Sequence, residues 1–251
     1  MTSGSRLRPL LLAGIAASGL LCLAWYDLIP GGWTLRGWVL PHAVRQAHEQ
    51  AQRSRERLRL FRGENPHLAP GSIVFLGSST IERFPLGTEF PGKPAVNRGI
   101  GNETATELLA RLDASLPAAP PAAAVLYAGS LDFRREHRPP QVTRKRVERI
   151  VRELRARFPD LPLAVVGLLP EWDFPETEVR ALAATNRALE ELAAELGLSF
   201  IATDRPPITG PDGSLTRACS ADRLHLNSTG YEHLARWILE AEGPVARLLS
   251  D

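Results

Sequence analysis

The chain has 251 residues, of which 44% are hydrophobic and 23% charged. These proportions are ordinary for a globular protein and exclude a disordered chain, a collagen-like fibre and a membrane protein with many spans. The 30 basic and 28 acidic residues leave a formal charge of only +2, so we expect no nucleic-acid partner. The two cysteines, Cys22 and Cys219, are too few for a disulfide framework or a cysteine-based zinc site.

The N-terminal segment, residues 1–33, has the pattern of a membrane anchor or a signal segment. Arg6 and Arg8 precede an uncharged run, Pro9–Tyr26, that is close to the length a membrane-spanning helix needs. A cleaved secretory signal is the alternative, although its best cleavage site, near Ala24, is poor. Both interpretations predict export. Since basic flanks tend to stay in the cytoplasm, we expect the rest of the chain on the periplasmic side of the cell membrane.

The next segment, residues 34–70, is expected to form a juxtamembrane helix and a linker. Its helix is predicted over Pro41–Arg62, with one apolar stripe made by Val44, Ala47, Ala51, Leu58 and Phe61. Its other faces carry five arginines: Arg45, Arg53, Arg55, Arg57 and Arg59. These arginines predict a solvated face or, alternatively, contact with anionic lipid.

Residues 71–251 alternate between short apolar runs and periodic segments. The runs predict five strands: Ile73–Leu76, Ala95–Asn97, Ala122–Tyr127, Leu163–Leu169 and Leu198–Ile201. The periodic segments predict four helices: Thr104–Leu116, Pro139–Phe158 with Val142 facing inward, Glu176–Leu196 ended by Gly197, and a last helix capped by Ser228. Apolar strands alternating with helices predict an α/β, flavodoxin-like three-layer fold with a five-stranded parallel sheet, preceded by the N-terminal apolar helix.

Polar residues follow the first three strands and precede the last helix. Their segments are Gly77–Thr80, Asn97–Thr104, Gly129–Asp132 and Asp222–Asn227. Such sheets bind ligands at the carboxyl ends of their strands, so we expect these four segments to share one crevice. Glu171 and Trp172 follow the fourth strand and form either a wall of this crevice or part of the packing.

Asp222 and His225 have the spacing of a catalytic pair. In a turn, a carboxylate three residues before an imidazole can bind its Nδ1 atom, which leaves Nε2 to accept a proton. A serine at the tip of the first strand supplies a nucleophile that needs such a base. The chain order is serine, aspartate, histidine, although the Gly-x-Ser-x-Gly elbow is absent from this sequence.

The same segments resemble the conserved blocks of the SGNH, or GDSL-like, hydrolases. Ile73–Ile81 is similar to the first block, Asn97–Gly101 to the second and Asp222–Tyr231 to the last. The resemblance implies that Ser79 is the nucleophile and that Asp222 and His225 complete its triad. It requires no metal and no organic cofactor.

The resemblance also indicates where the oxyanion hole departs from the family. The backbone amides of Ser79 and of the Gly101–Asn102 turn are expected to donate, and Asn102 stands where the family has glycine. Leu131 stands at the third-block asparagine position and cannot donate a hydrogen bond. We expect the side-chain amide of Asn102 to replace part of the missing contact.

The sequence therefore predicts a membrane-anchored serine esterase or acylhydrolase that acts on a small-molecule or glycan ester. Two alternatives stay open. An O-acyltransferase acting on envelope polysaccharide would use the same triad, with a sugar hydroxyl in place of water. A non-catalytic binding protein with a degraded oxyanion hole would explain Leu131.

Overall fold

The computed structural model describes residues 18–23 and 42–250 of the chain. The chain divides into two compact units, Met1–Arg53 and Ser54–Asp251, and the second contains the whole sheet. Residues 18–23 are helical and exposed, whereas the rest of the predicted anchor lies outside the described residues. Within the two described ranges, we find no helix that is both long and apolar enough to cross a membrane.

Helix α1 covers His42–Glu64 and is followed by a 3₁₀ turn at Asn65–His67. The apolar stripe predicted along this helix is buried only at its C-terminal end. Val44 is 47% exposed, whereas Phe61 is 1% exposed and belongs to the core of the second unit.

The second unit is built on a five-stranded sheet in which every neighbouring pair of strands is parallel. Its strands are β1 (Ile73–Gly77), β2 (Ala95–Gly99), β3 (Ala123–Tyr127), β4 (Leu163–Val166) and β5 (Ser199–Ile201). The order across the sheet is β2-β1-β3-β4-β5, which is the flavodoxin-like order. The predicted parallel sheet is thus confirmed, and β1 and β3 are buried along their whole length, as a doubly covered sheet requires.

Helices cover both faces of the sheet. They are α2 (Ser79–Glu82), α3 (Leu86–Glu89), α4 (Ala105–Ala110), α5 (Leu112–Ser115), α6 (Ser130–Arg134), α7 (Pro140–Arg157), α8 (Glu176–Leu196), α9 (Ser228–Glu240) and α10 (Pro244–Ser250). Helix α7 packs between α4 and α8, whereas α9 packs against α10, which contacts β3. Because parallel crossovers are right-handed, the connections leading from β2 to β5 cover one face, and the oppositely directed β1–β2 connection covers the other.

Two predicted helices differ from the structure at their ends or in continuity. The single helix expected over Thr104–Leu116 is broken at Arg111, whose buried side chain is held by partners outside the helix. The cap of α9 is Asn227 rather than Ser228, because the Asn227 side chain accepts a hydrogen bond from the Gly230 amide. The predicted C-terminus of α8 at Gly197 is confirmed, and Gly197 has the left-handed backbone typical of that position.

Two further predictions were wrong in detail. Strand β4 ends at Val166: the Gly167 amide still donates to the Ile201 carbonyl oxygen of β5, but Leu168 donates to the Asn186 side chain and Leu169 to the Tyr127 hydroxyl. In α7 the fully buried residue near the start is Thr143, whereas Val142 is half-buried. The four short helices α2, α3, α6 and α10 were not expected from periodicity, since they are too short to show it.

Candidate active site

The predicted site lies where the strand order reverses, between β1 and β3. The chain leaves β1 toward β2 on one side, and later strands extend from β3 on the other, which is the position where such sheets bind ligands. Gly77 is the last residue of β1, and a side chain cannot be accommodated there, because a Cβ atom would lie 2.4 Å from the Tyr127 carbonyl oxygen. The chain can therefore turn sharply into α2, which begins with Ser79.

Side chains from two distant elements hold the α2 turn. The Tyr231 hydroxyl of α9 donates to the Thr80 carbonyl oxygen at 2.9 Å, and burial raises the pKa of Tyr231, so the hydroxyl keeps its proton. Asn97 of β2 donates to the Ile81 carbonyl oxygen at 2.5 Å. The half-buried Ser79 is thus presented from a fixed turn rather than from a loop.

The structure brings the three predicted triad residues together. Ser79 Oγ lies 3.2 Å from His225 Nε2, and His225 Nδ1 lies 2.8 Å from Asp222 Oδ2. Ser79 and His225 are 146 residues apart in sequence, so this contact depends entirely on the fold. The arrangement lets His225 accept the Ser79 proton while Asp222 fixes the tautomer of the imidazole ring.

Asp222 is kept ionised by the turn that it caps. Partial burial alone would raise its pKa, but donation from the Leu224 amide, the His225 side chain and the His225 amide lowers the pKa to about 2. The amide bonds to Asp222 Oδ1 are both 2.8 Å long. Arg83 lies 3.6 Å from Asp222 Oδ2 on the solvent side. Asp222 therefore carries its charge throughout the neutral and mildly acidic range.

The structure distinguishes the two adjacent serines of the turn. Ser78 is 4% exposed, and its hydroxyl lies 3.1 Å from the hydroxyl of Ser130, which begins α6. Ser79 is the serine whose hydroxyl contacts His225. Ser78 therefore links the ends of β1 and β3, and only Ser79 is placed for attack on a substrate.

The Gly101–Asn102 turn lies beside Ser79, but its two amides differ. A Cβ atom at Gly101 would lie 3.4 Å from Ser79 Cβ, so the turn packs directly against the serine. The Gly101 amide donates to Glu82 Oε2 at 2.9 Å, which corrects the expectation that it faces the oxyanion. Within residues 42–250, the backbone amide of Asn102 has no protein acceptor. Asn102 is exposed with φ of 60°, a left-handed backbone that asparagine adopts more readily than most residues.

Asp132, in the segment Gly129–Asp132 after β3, holds the start of the neighbouring helix α4. This fully buried carboxylate accepts the Ala105 amide at 2.8 Å, at the start of α4, and is paired with Arg146. Leu131 is half-buried, and its side chain has no donor to offer an oxyanion. The Gly129–Asp132 segment therefore has a structural function through Asp132, and Leu131 offers no side-chain donor.

Glu171 and Trp172, which follow β4, are bound to the segment that carries Asp222 and His225. The Trp172 amide donates to the Arg223 carbonyl oxygen at 3.0 Å, and its indole donates to Ser220 at 2.6 Å. Glu171 pairs with Arg223 at 3.1 Å and with Arg134 at 3.4 Å. Trp172 thus packs as a support for the Asp222–His225 turn.

Sequence reasoning missed a buried ion pair behind the serine. Arg111 donates to Glu103 at 2.6 Å and to the Gly77 carbonyl oxygen at 3.2 Å, so it joins the end of β1 to the residue after Asn102. Burial raises the pKa of Glu103 to about 6, although Arg111 opposes this. A signal was present, because Arg111 occupies a position on the otherwise apolar face formed with Leu108 and Leu112.

Serine, histidine and aspartate side chains joined at the carboxyl edge of a parallel sheet have the arrangement of a serine hydrolase. The sequence matches the model of the GDSL-like Lipase/Acylhydrolase family over residues 81–233, more than half of the chain. The protein therefore belongs to the GDSL-like lipase/acylhydrolase family. The matched range includes Asp222 and His225 and begins just after Ser79.

The chain is also similar to one relative in sequence and to two solved structures in fold. The chain is 30% identical over 174 residues to the bovine (Bos taurus) platelet-activating factor acetylhydrolase IB subunit alpha1, covering 65% of this chain and 72% of that protein. A Streptococcus pneumonia protein named provisionally for platelet activating factor superposes with a TM-score of 0.71 at 24% identity, over 79% of this chain and 97% of the other. A GDSL-like lipase from Bacteroides thetaiotaomicron superposes with a TM-score of 0.62 at 20% identity, over 73% and 95% of the two chains.

Proposed function

We propose that this protein is a serine-dependent ester hydrolase that acts through a Ser79–His225–Asp222 triad and an acyl-enzyme. The observation that carries the proposal is the continuous chain of contacts from Ser79 Oγ through both ring nitrogens of His225 to Asp222. Membership in an acylhydrolase family supports the same reaction class.

The reaction proceeds in two half-reactions. Ser79 Oγ attacks the ester carbonyl carbon while its proton passes to His225 Nε2, and the new imidazolium is stabilised by ionised Asp222. Collapse of the tetrahedral intermediate breaks the bond to the alcohol, which leaves with the proton from His225. Water then gives a proton to His225 as it attacks the acyl-enzyme, and collapse of the second tetrahedral intermediate returns that proton to Ser79 Oγ and releases the acid.

The developing oxyanion is stabilised by amides at two turns. The Ser79 amide lies in the first turn of α2, where backbone N–H groups have no intrahelical acceptor. The Asn102 amide is the second donor, since the Gly101 amide is engaged by Glu82. Donors already in place account for a large share of catalysis in such sites.

A short acyl ester is the natural first substrate, because the bovine relative is named as an acetylhydrolase. The test is hydrolysis of p-nitrophenyl acetate by the full chain, compared with its Ser79→Ala variant. Hydrolysis that depends on Ser79 supports the proposal. A wild-type chain without turnover, or with turnover that survives Ser79→Ala, contradicts it.

The oxyanion hole gives a prediction about Asn102. We expect Asn102→Gly to lower kcat for p-nitrophenyl acetate about 10-fold with little change in KM, because a contact made mainly in the transition state is removed. Glycine keeps the backbone amide and tolerates the φ of 60°, so the variant tests the side-chain amide alone. Steady-state kinetics of the two proteins measure the effect, and an unchanged kcat would remove the side chain from the mechanism.

Leu131 motivates the second candidate function, a non-catalytic binding protein. Leu131→Asn restores the donor that the family places there, and we expect it to raise kcat in the same assay. If the unmodified chain shows no turnover and Leu131→Asn restores none, the binding-protein function is favoured over the hydrolase.

We also propose that the hydrolase is exported and held at the membrane by its first 33 residues, on the basis of Arg6, Arg8 and the uncharged run Pro9–Tyr26. An alkaline phosphatase fused after residue 62 is expected to be active outside the cytoplasm and to sediment with membranes. A fusion recovered as an inactive cytoplasmic protein would contradict export.

A further inference from the structure

Arg57 is a half-buried arginine of α1 that contacts the end of β2 instead of lying on the expected solvated face. Its side chain is 26% exposed, whereas Arg55 and Arg59, two residues away on either side, are exposed. Arg57 donates to the Gly99 carbonyl oxygen through Nη2 at 2.9 Å and Nε at 3.2 Å. Its Nη2 also lies 3.3 Å from Asn97 Oδ1. The guanidinium group is therefore hydrogen-bonded to the carboxyl end of β2.

The same guanidinium group faces Glu82, which holds the next part of the loop. Arg57 Nε lies 3.8 Å from Glu82 Oε1, while Glu82 Oε2 accepts the Gly101 amide at 2.9 Å. Arg57 and Glu82 thus hold the Gly99 carbonyl and the Gly101 amide, on either side of Ile100. The next residue is Asn102, whose amide faces no protein acceptor among the described residues.

This loop is in direct contact with the helix that carries Ser79. A Cβ atom at Gly99 would lie 2.1 Å from the Glu82 backbone nitrogen, so β2 and α2 touch without an intervening side chain. The Phe61 ring packs against Arg57, whose guanidinium carbon lies 4.9 Å from the ring centroid. Because the parts are in van der Waals contact, a shift of the Gly99 carbonyl changes the distance between Asn102 and Ser79.

We propose that Arg57 is a positioning residue. By holding the Gly99 carbonyl and Glu82, it fixes the position of the Asn102 backbone amide relative to Ser79. The inference rests on the proposed hydrolase function. It assigns α1 a part in the active site, through a side chain that never touches the substrate. Arg57 acts on the loop through bonds that are present before substrate binds, so its loss affects the transition state more than substrate binding.

The decisive comparison is Arg57→Met against Arg59→Met. Both variants remove one positive charge from α1 and keep an unbranched side chain, but Arg59 is exposed and lies outside the network. We expect Arg57→Met to lower kcat for p-nitrophenyl acetate about 10-fold or more with KM within about 2-fold. Arg59→Met is expected to match the wild type. Arg57→Lys should recover part of kcat, since an ammonium group can still donate to Gly99.

A second readout does not depend on activity. Hydrogen exchange measured by mass spectrometry should show faster exchange in a peptide containing Gly99–Thr104 for Arg57→Met, and unchanged exchange there for Arg59→Met. If the wild type lacks turnover, the hydrolase function fails, and this measurement alone decides whether Arg57 holds the loop. Equal exchange in both variants, or a fall in kcat matched by Arg59→Met, would overturn the proposal. A change confined to KM would overturn it too.

Discussion

Replacing Ser79 with alanine is expected to lower kcat for ester hydrolysis by roughly 10⁴- to 10⁶-fold, because no covalent intermediate can form. The same variant should lose all labelling by a fluorophosphonate probe. The effect is large because, of the adjacent Ser78 and Ser79, Ser79 is the one whose hydroxyl contacts His225 in the described structure. Gel fluorescence and steady-state kinetics measure the two losses.

The neighbouring serine offers a matched control for this substitution. Ser78→Ala removes the same atom one residue earlier, but that hydroxyl contacts Ser130 rather than the histidine. We expect Ser78→Ala to keep its labelling and most of its activity. Labelling that survives in Ser79→Ala and disappears in Ser78→Ala would reverse the assignment of the nucleophile.

Asp222→Asn is expected to lower kcat by about 10³- to 10⁴-fold with a small change in KM. The carboxylate accepts from His225 Nδ1 at 2.8 Å and carries a charge, since its pKa is about 2. An asparagine amide can instead donate to Nδ1, which would leave Nε2 protonated and unable to take the Ser79 proton. Steady-state kinetics near neutral pH measure the loss.

The control for Asp222 is Asp173→Asn. Asp173 is an exposed aspartate that pairs with Arg217 at 3.0 Å on the surface. It loses the same charge in the variant, and we expect activity close to that of the wild type. Retention of near-normal kcat in Asp222→Asn would show that the aspartate is dispensable and that His225 acts without an orienting partner.

The sheet could be predicted because its strands show up as local apolar runs in the sequence. Runs such as Ile73–Leu76 and Ala122–Tyr127 are short and apolar without interruption, which is typical of a strand covered on both faces. Helix ends were less predictable, as Arg111 shows. The predicted helix breaks at this residue, whose buried side chain binds Glu103.

The chemical groups of the candidate site were also readable from the sequence. Asp222 and His225 are three residues apart, so their contact is local and follows from the turn between them. Ser79 could be assigned by its position after the first strand, where parallel sheets carry their sites. That assignment needed only the order of the elements and the resemblance of the sequence blocks.

The sequence by itself indicated the kind of fold and the Asp222–His225 contact, because both follow from neighbours along the chain. Only the tertiary structure decided which groups hold the Gly99–Asn102 loop. Arg57 reaches Gly99 across 42 residues, and Gly101 gives its amide to Glu82, 19 residues earlier. Such contacts depend on how α1, α2 and β2 pack together. No local pattern distinguishes Arg57 from the exposed arginines beside it.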